Sequence, residues 1–203
     1  MGLFDGDNPA SRIKLPKLNN EVTECLSRDE VSSLLKTLDT WNNQMVALLI
    51  KFALFTGLRR GEIFSLQWEN VDLNNGLIHL RNTKGGKDET IPISDEAQKI
   101  LRKAKRILPI RNCVYVFPNR TGKRRTSFGN TWTRIKKSAN TPSRFRFHGL
   151  RHTFASYLAS SGKVSQYTLQ KLLTHKTPQM TQRYVHLFDE TLREGANQFS
   201  AMI

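Results

Sequence analysis

Apolar residues recur at helical spacing through most of the chain. Val31, Leu34, Leu35 and Leu38 share one helix face, and Ser27 with Glu30 three residues on forms a capping box that opens it. Residues 43–56 are almost all apolar and long enough for a helix buried on every side. Gly57 stops that helix. Arg60 to Gln67 predicts a short helix. The period then changes to two: Leu77, His79 and Arg81 alternate with Ile78, Leu80 and Asn82. Lys84-Gly85-Gly86-Lys87 reads as a turn and Thr90 to Ile93 as a return strand, which together predict a β-hairpin. A helix over 95–107, a short strand Val114 to Phe117 and a basic loop over 118–125 follow. Further helices are predicted over 127–138, 148–161, 165–173, 178–186 and 188–199. Residues 1–24 cluster Gly, Asp, Asn and Pro and read as an extended lead-in. The predicted class is mainly α with a small antiparallel β-sheet.

Charge narrows the function. The 203 residues hold 32 Lys+Arg against 17 Asp+Glu, a formal net charge of +15. From Ala97 to Phe188 there is no Asp or Glu, and that stretch carries 20 of the basic residues. Folding therefore builds a positive surface from one half of the chain, and its partner is polyanionic, nucleic acid ahead of an acidic membrane. No apolar run reaches the ~20 residues of a membrane span, and Met1 to Lys17 lacks a signal-peptide pattern. Cys25 and Cys113 are too few for a disulfide framework or a metal cluster, so a reducing cytoplasm is the expected compartment. An acid-free stretch of this kind does not supply the carboxylates of a two-metal nuclease. Phosphodiester chemistry here is expected to run without a metal or other cofactor.

Three strings carry candidate chemistry. In Thr56-Gly57-Leu58-Arg59-Arg60-Gly61-Glu62, the glycine turns the backbone sharply and sets Arg59 at an element junction, with Glu62 placed to hold its guanidinium. In His148-Gly149-Leu150-Arg151-His152-Thr153, residues 148, 151 and 152 share one helix face at a helix start, a setting that suits an anion. The third string joins Leu172-Leu173-Thr174-His175 to Arg183-Tyr184-Val185-His186.

Taken in order, these strings and the Lys-Gly-Gly-Lys turn resemble the catalytic domain of the tyrosine recombinases, the family of phage integrases, chromosome-dimer resolvases and fimbrial invertases. The likeness covers roughly Leu26 to Phe188 and implies that family's catalytic-domain fold. It implies site-specific recombination of double-stranded DNA through a covalent 3′-phosphotyrosine, independent of metal and ATP. By that resemblance Arg59 and Arg151 clamp the non-bridging oxygens of the scissile phosphate, for which the planar guanidinium fork is suited. Tyr184 is the nucleophile, His148 its base-like partner and His175 a donor to phosphate. Lys84 is the general acid on the leaving 5′-oxygen, ahead of Lys87, and Glu62 buttresses Arg59. His152 and His186 are read as supporting or packing residues. Thr174 departs from the pattern, which has glycine before this histidine. A β-branched residue restricts the backbone there, which bears on the placement of His175.

Further expectations follow from the same likeness. Lys87, Arg120, Lys123, Arg124, Arg125, Arg144 and Arg146 are candidates for the DNA backbone. Most family members carry an N-terminal core-binding domain, and residues 1–24 resemble the linker to it. The chain is therefore expected to act as one jaw of a clamp, monomeric alone and tetrameric on DNA as the full-length protein. Residues 189–203 are expected to form a tail helix, with Leu192, Phe199, Met202 and Ile203 as anchors on a neighbouring protomer. A type IB topoisomerase-like relaxing enzyme and a non-cleaving DNA-binding regulator are the rival classes.

Overall fold

The computed structural model describes residues 24–81, 88–108 and 113–184. Helix α1 (Arg28–Asp39) opens with the predicted capping box: the Ser27 N–H donates to Glu30 Oε2 at 2.7 Å, and the Glu30 N–H to Ser27 Oγ at 3.2 Å. Helix α2 (Gln44–Thr56) follows. Ten of its 13 residues are buried, which makes it the central rod of the fold. It packs against α1, the short α3 (Arg60–Ser65), α4 (Asp95–Arg106) and α6 (Gly149–Ser160). Phe52 on α2 meets Phe117 with ring centroids 5.2 Å apart.

Between α3 and α4 lies a three-stranded antiparallel sheet of β1 (Val71–Asp72), β2 (Leu77–Leu80) and β3 (Glu89–Pro92), in that order. Its register pairs Ile78 with both Val71 and Ile91, so apolar side chains line the inner face. The two strands predicted for the hairpin pair antiparallel, as β2 and β3. Strand β1 has no signal in the sequence, because two residues are too few to show a period.

Several boundaries differ from expectation for local reasons. Helix α3 ends at Ser65 rather than Gln67, because Leu66 is extended and its carbonyl accepts from the Val116 N–H at 2.9 Å. The predicted strand Val114–Phe117 reduces to a single bridge, Gln67 to Tyr115. Its partner segment enters a 3-10 turn at Trp68–Asn70, which stops the ladder. Helix α5 (Thr131–Ser138) starts four residues late, after Gly129 in left-handed backbone at φ 53°.

Helices α6, α7 (Gln166–Leu172) and α8 (Gln179–Gln182) complete the described fold. Ala155, Ala159, Leu169, Leu173 and Tyr184 form a small apolar cluster, with Phe154 and Leu158 packed on it. Among the described residues no helix is long and apolar enough to cross a membrane. The lead-in up to residue 23, the Lys84-Gly85-Gly86-Lys87 turn, His186 and the 189–203 tail lie outside the described residues.

Candidate active site

The site forms where α2, α6 and α7 end or begin close together. Helix α2 ends at Gly57 in left-handed backbone at φ 63°. A Cβ there would lie 2.4 Å from Phe154 Cδ1, so both conformation and space require glycine. The turn delivers Arg59 to the first cap of α3. Glu62 Oε2 accepts from the Arg59 backbone N–H at 2.8 Å, and Glu62 Oε1 accepts from Arg59 Nη1 at 2.8 Å. The same Nη1 donates to Thr174 Oγ1 at 2.8 Å, and Nη2 donates to the Thr174 carbonyl at 3.2 Å.

Arg151 lies in the first turn of α6 and is only 3% exposed. Its Nη1 donates to the Gly57 carbonyl at 2.8 Å, and its Nη2 to the Leu173 carbonyl. The two guanidiniums thus rest on consecutive carbonyls, Leu173 and Thr174, at the end of α7. That is the negative end of a helix, where carbonyls lack intrahelical partners. The sequence places Arg59 and Arg151 92 residues apart; the close of α7 brings them together.

The histidines ring this pair. His148 caps α6, is exposed, and meets the His152 ring edge-on with centroids 4.8 Å apart. His175 follows Thr174 directly, and its Nδ1 shares a hydrogen bond of 2.8 Å with Thr181 Oγ1. Tyr184 is 1% exposed, and its Oη lies 2.6 Å from His152 Nδ1. Sequence reasoning missed two of these contacts. In sequence His152 reads as a supporting or packing residue, and only the fold brings it to a tyrosine 32 residues further on. Thr174 was noted for its departure from glycine, yet nothing in the string showed that its hydroxyl meets Arg59.

Burial and crowded cations set the electrostatics. Burial lowers the pKa of Arg151 to about 10, and Arg59 adds to the shift. His175 falls to about 3 and His152 to about 4, through burial first and neighbouring cations second. His148 is lowered for the same reasons, with Arg151 the leading charge. The Tyr184 phenol is pushed up by burial, against the opposing pull of Arg183 and Arg151. All three imidazoles are therefore neutral at pH 7. The His152–Tyr184 hydrogen bond therefore joins two uncharged rings. An oxyanion among these groups would be held by two guanidinium forks and would raise all three histidine pKa values.

The basic surface residues divide. Arg120, Lys123, Arg124 and Arg144 are exposed. Arg125 turns inward, donating from Nη2 to the Pro118 carbonyl at 2.6 Å, and burial lowers its pKa. Arg146 binds Glu24 through Nε at 3.0 Å and through its backbone N–H at 2.9 Å. Lys84 and Lys87 lie outside the described residues.

Known proteins are similar to this chain in sequence and in fold. Residues 24–191 match the phage integrase family. The chain is 32% identical to the tyrosine recombinase XerA of Pyrococcus horikoshii over 203 residues, 95% of this chain and 67% of that protein. It is 29% identical to the integrase of Salmonella phage P22, covering 94% of this chain and 50% of that one. In structure it superposes on the catalytic domain of bacteriophage HP1 integrase with a TM-score of 0.65 at 27% identity, spanning 87% of this chain and 95% of that domain. The XerH recombinase bound to its difH substrate gives a TM-score of 0.70 at 24% identity, with 92% and 56% covered. Fold and sequence together define a tyrosine recombinase catalytic domain of mainly helical class. The chain belongs to the phage integrase family, and spans 50% to 67% of the length of the two curated relatives named here.

Proposed function

We propose that the chain cleaves and rejoins DNA strands as the catalytic domain of a site-specific recombinase. The observation that carries this reading is the placement of Arg59 and Arg151 on adjacent carbonyls of one turn, beside two histidines and a tyrosine. Tyr184 Oη attacks a backbone phosphorus and loses its proton. The P–O5′ bond breaks, the 5′-oxygen takes a proton, and a 3′-phosphotyrosine forms. Attack by another 5′-hydroxyl reverses the step and releases the enzyme, so the phosphodiester energy is conserved without ATP.

Arg59 and Arg151 hold the non-bridging oxygens and stabilise the charge that grows in the transition state. His175 donates to phosphate, His148 assists deprotonation of the tyrosine, and Lys84 protonates the leaving oxygen. Glu62 fixes Arg59 from below. Tyr184 is too buried for a duplex to reach it, so the side chain leaves His152 before it attacks. Double-stranded DNA is the substrate, held through phosphates by Lys87, Arg120, Lys123, Arg124 and Arg144. Arg125 and Arg146 are already engaged within the protein. The reading extends to a tetramer on recombination sites and to a cytoplasmic, nucleoid-associated location.

A nicked duplex pool, randomised around the nick, tests cleavage by trapping the covalent intermediate. An SDS-resistant protein–DNA adduct with the parent, and none with Tyr184→Phe, is the expected result. An adduct that persists in Tyr184→Phe overturns the assignment of the nucleophile.

A further inference from the structure

Among the described residues four helices end at a left-handed residue: α2 at Gly57, α5 at Asn140, α6 at Gly162 and α7 at Thr174. Gly57 closes α2 at φ 63°. Asn140 closes α5 at φ 52°, with its N–H on the Lys137 carbonyl and the Thr141 N–H on the Lys136 carbonyl at 2.9 Å. Thr174 closes α7 at φ 50° in the same double-bonded turn: its N–H reaches the Lys171 carbonyl at 3.0 Å, and the His175 N–H the Gln170 carbonyl at 3.0 Å. Glycine and asparagine are the ordinary occupants of such a turn. A β-branched residue is a poor one, because its side chain crowds the left-handed backbone. The backbone of α7 therefore gives no reason for threonine at this position.

The side chain does. Thr174 is 7% exposed, and its Oγ1 accepts from Arg59 Nη1 while its carbonyl accepts from Nη2. An arginine fork has five N–H donors. Glu62 Oε1 and Thr174 Oγ1 take both donors of Nη1, and the Thr174 carbonyl takes one of Nη2. Two donors remain, on Nε and Nη2, along one edge of the guanidinium. That edge is the one that binds an oxyanion side-on. Without the hydroxyl the fork keeps two of these three contacts, the longer of them the 3.2 Å bond to the Thr174 carbonyl, and its plane is held less firmly.

We propose that Thr174 is a positioning residue: a strained threonine in the closing turn of α7 fixes the plane of the Arg59 guanidinium, so that its Nε–Nη2 edge meets a phosphate alongside Arg151. The proposal deepens the strand-cleavage reading and rests on it. It implies that stability and activity move apart at one position. Thr174→Gly relaxes the left-handed backbone and loses the hydroxyl. Thr174→Ser keeps the hydroxyl with less crowding. Thr174→Val keeps the crowding and loses the hydroxyl.

The test uses the full 203-residue chain. Three quantities are measured: thermal midpoint, adduct formation at saturating nicked duplex, and the order of the Arg59 Nε–H group by 15N relaxation. Thr174→Gly is expected to melt no lower than the parent yet form adduct at least about tenfold more slowly, since small misplacements of a catalytic group carry losses of that order or greater. Thr174→Ser is expected to recover most of the rate, and Thr174→Val to lose both rate and stability. Arg59 Nε–H is expected to be ordered in the parent and Thr174→Ser, and mobile in the other two. Adduct formation by Thr174→Gly at the parental rate overturns the proposal, as does Thr174→Ser matching the slow variants. A parent that forms no adduct counts against the cleavage reading. The relaxation data then decide on Thr174 alone, and an Arg59 equally ordered in all four proteins rejects its role.

Discussion

The hydrogen bond between Tyr184 Oη and His152 Nδ1 is 2.6 Å long and joins two buried side chains, 1% and 5% exposed. Tyr184→Phe deletes one oxygen and leaves Nδ1 without its partner. His152→Phe keeps an aromatic ring of similar size and leaves the phenol hydroxyl without its partner. Each single change strands a buried polar group, at a cost of about 1–3 kcal/mol. The double variant removes both polar groups and leaves two apolar rings in contact, which is close to neutral. The cycle is therefore strongly non-additive, with a coupling energy of about 2 kcal/mol or more in magnitude, the sum of the two single costs. Urea unfolding of the four proteins at pH 7.5, fitted with a common slope, measures it. Additivity within about 0.5 kcal/mol refutes the buried hydrogen bond. The same variants report on mechanism. Because Tyr184 is 1% exposed and its phenol is held by His152, His152→Phe is expected to raise the rate of adduct formation several-fold. A fall in rate would mean that the imidazole accepts the phenol proton during attack.

His152 and His175 titrate near 4 and 3 when folded and near 6.5 when unfolded. The unfolded chain thus binds more protons below pH 6.5. Stability is complete above that pH and falls as acid carries the solution through 6.5 toward 4 and 3. The urea midpoint is expected to drop between pH 7 and pH 5, less steeply in His175→Asn; an unchanged midpoint contradicts the shifts. Sulfate in the cationic site raises these pKa values, so its affinity is expected to increase from pH 8 to pH 6 and the His175 ring proton signals to move with it. Arg124→Ala is expected to reduce the salt dependence of DNA binding by about one unit of log–log slope while leaving stability unchanged. Arg125→Ala loses its bond to Pro118 and is expected to lower the thermal midpoint instead. Gly57→Ala meets both the Phe154 ring and a left-handed φ, and is expected to destabilise the fold by about 2 kcal/mol or more, read by urea unfolding.

Most of the fold was legible in the sequence where period and caps coincide. Ser27 and Glu30 marked the start of α1, Gly57 the end of α2, and the alternation at 77–80 marked the central strand. Errors fell where tertiary contacts set the boundary. Leu66 leaves α3 to pair with Val116, and β1 exists only because β2 lies beside it. The candidate site was legible as a set of residue types in order, through resemblance more than through chemistry. The contacts within it were not. His148 and His152 share a helix face, so their proximity follows from spacing, but the meeting of His152 with Tyr184 depends on how α6 packs against α7. Thr174 read as a backbone oddity, because a string of letters shows neither a left-handed φ nor the arginine above it.

The partners of the two arginines give the acid-free half of the chain a physical reading. Arg151 is buried deeply enough to lower its own pKa, and a buried cation ordinarily takes a carboxylate. Its guanidinium donates instead to two carbonyls, at Gly57 and Leu173. A carbonyl dipole offsets part of the desolvation without cancelling the charge. A carboxylate would cancel it and would compete with any incoming phosphate. Glu62 is the exception, and its two carboxylate oxygens are engaged by Arg59 Nη1 and the Arg59 backbone N–H. The stretch from 97 to 188 contributes Arg151, the three site histidines and Tyr184, and it brings no carboxylate with them. The fold thus holds its cations with dipoles, at the closing turn of one helix and the left-handed cap of another. Their charge is left for a ligand that carries its own.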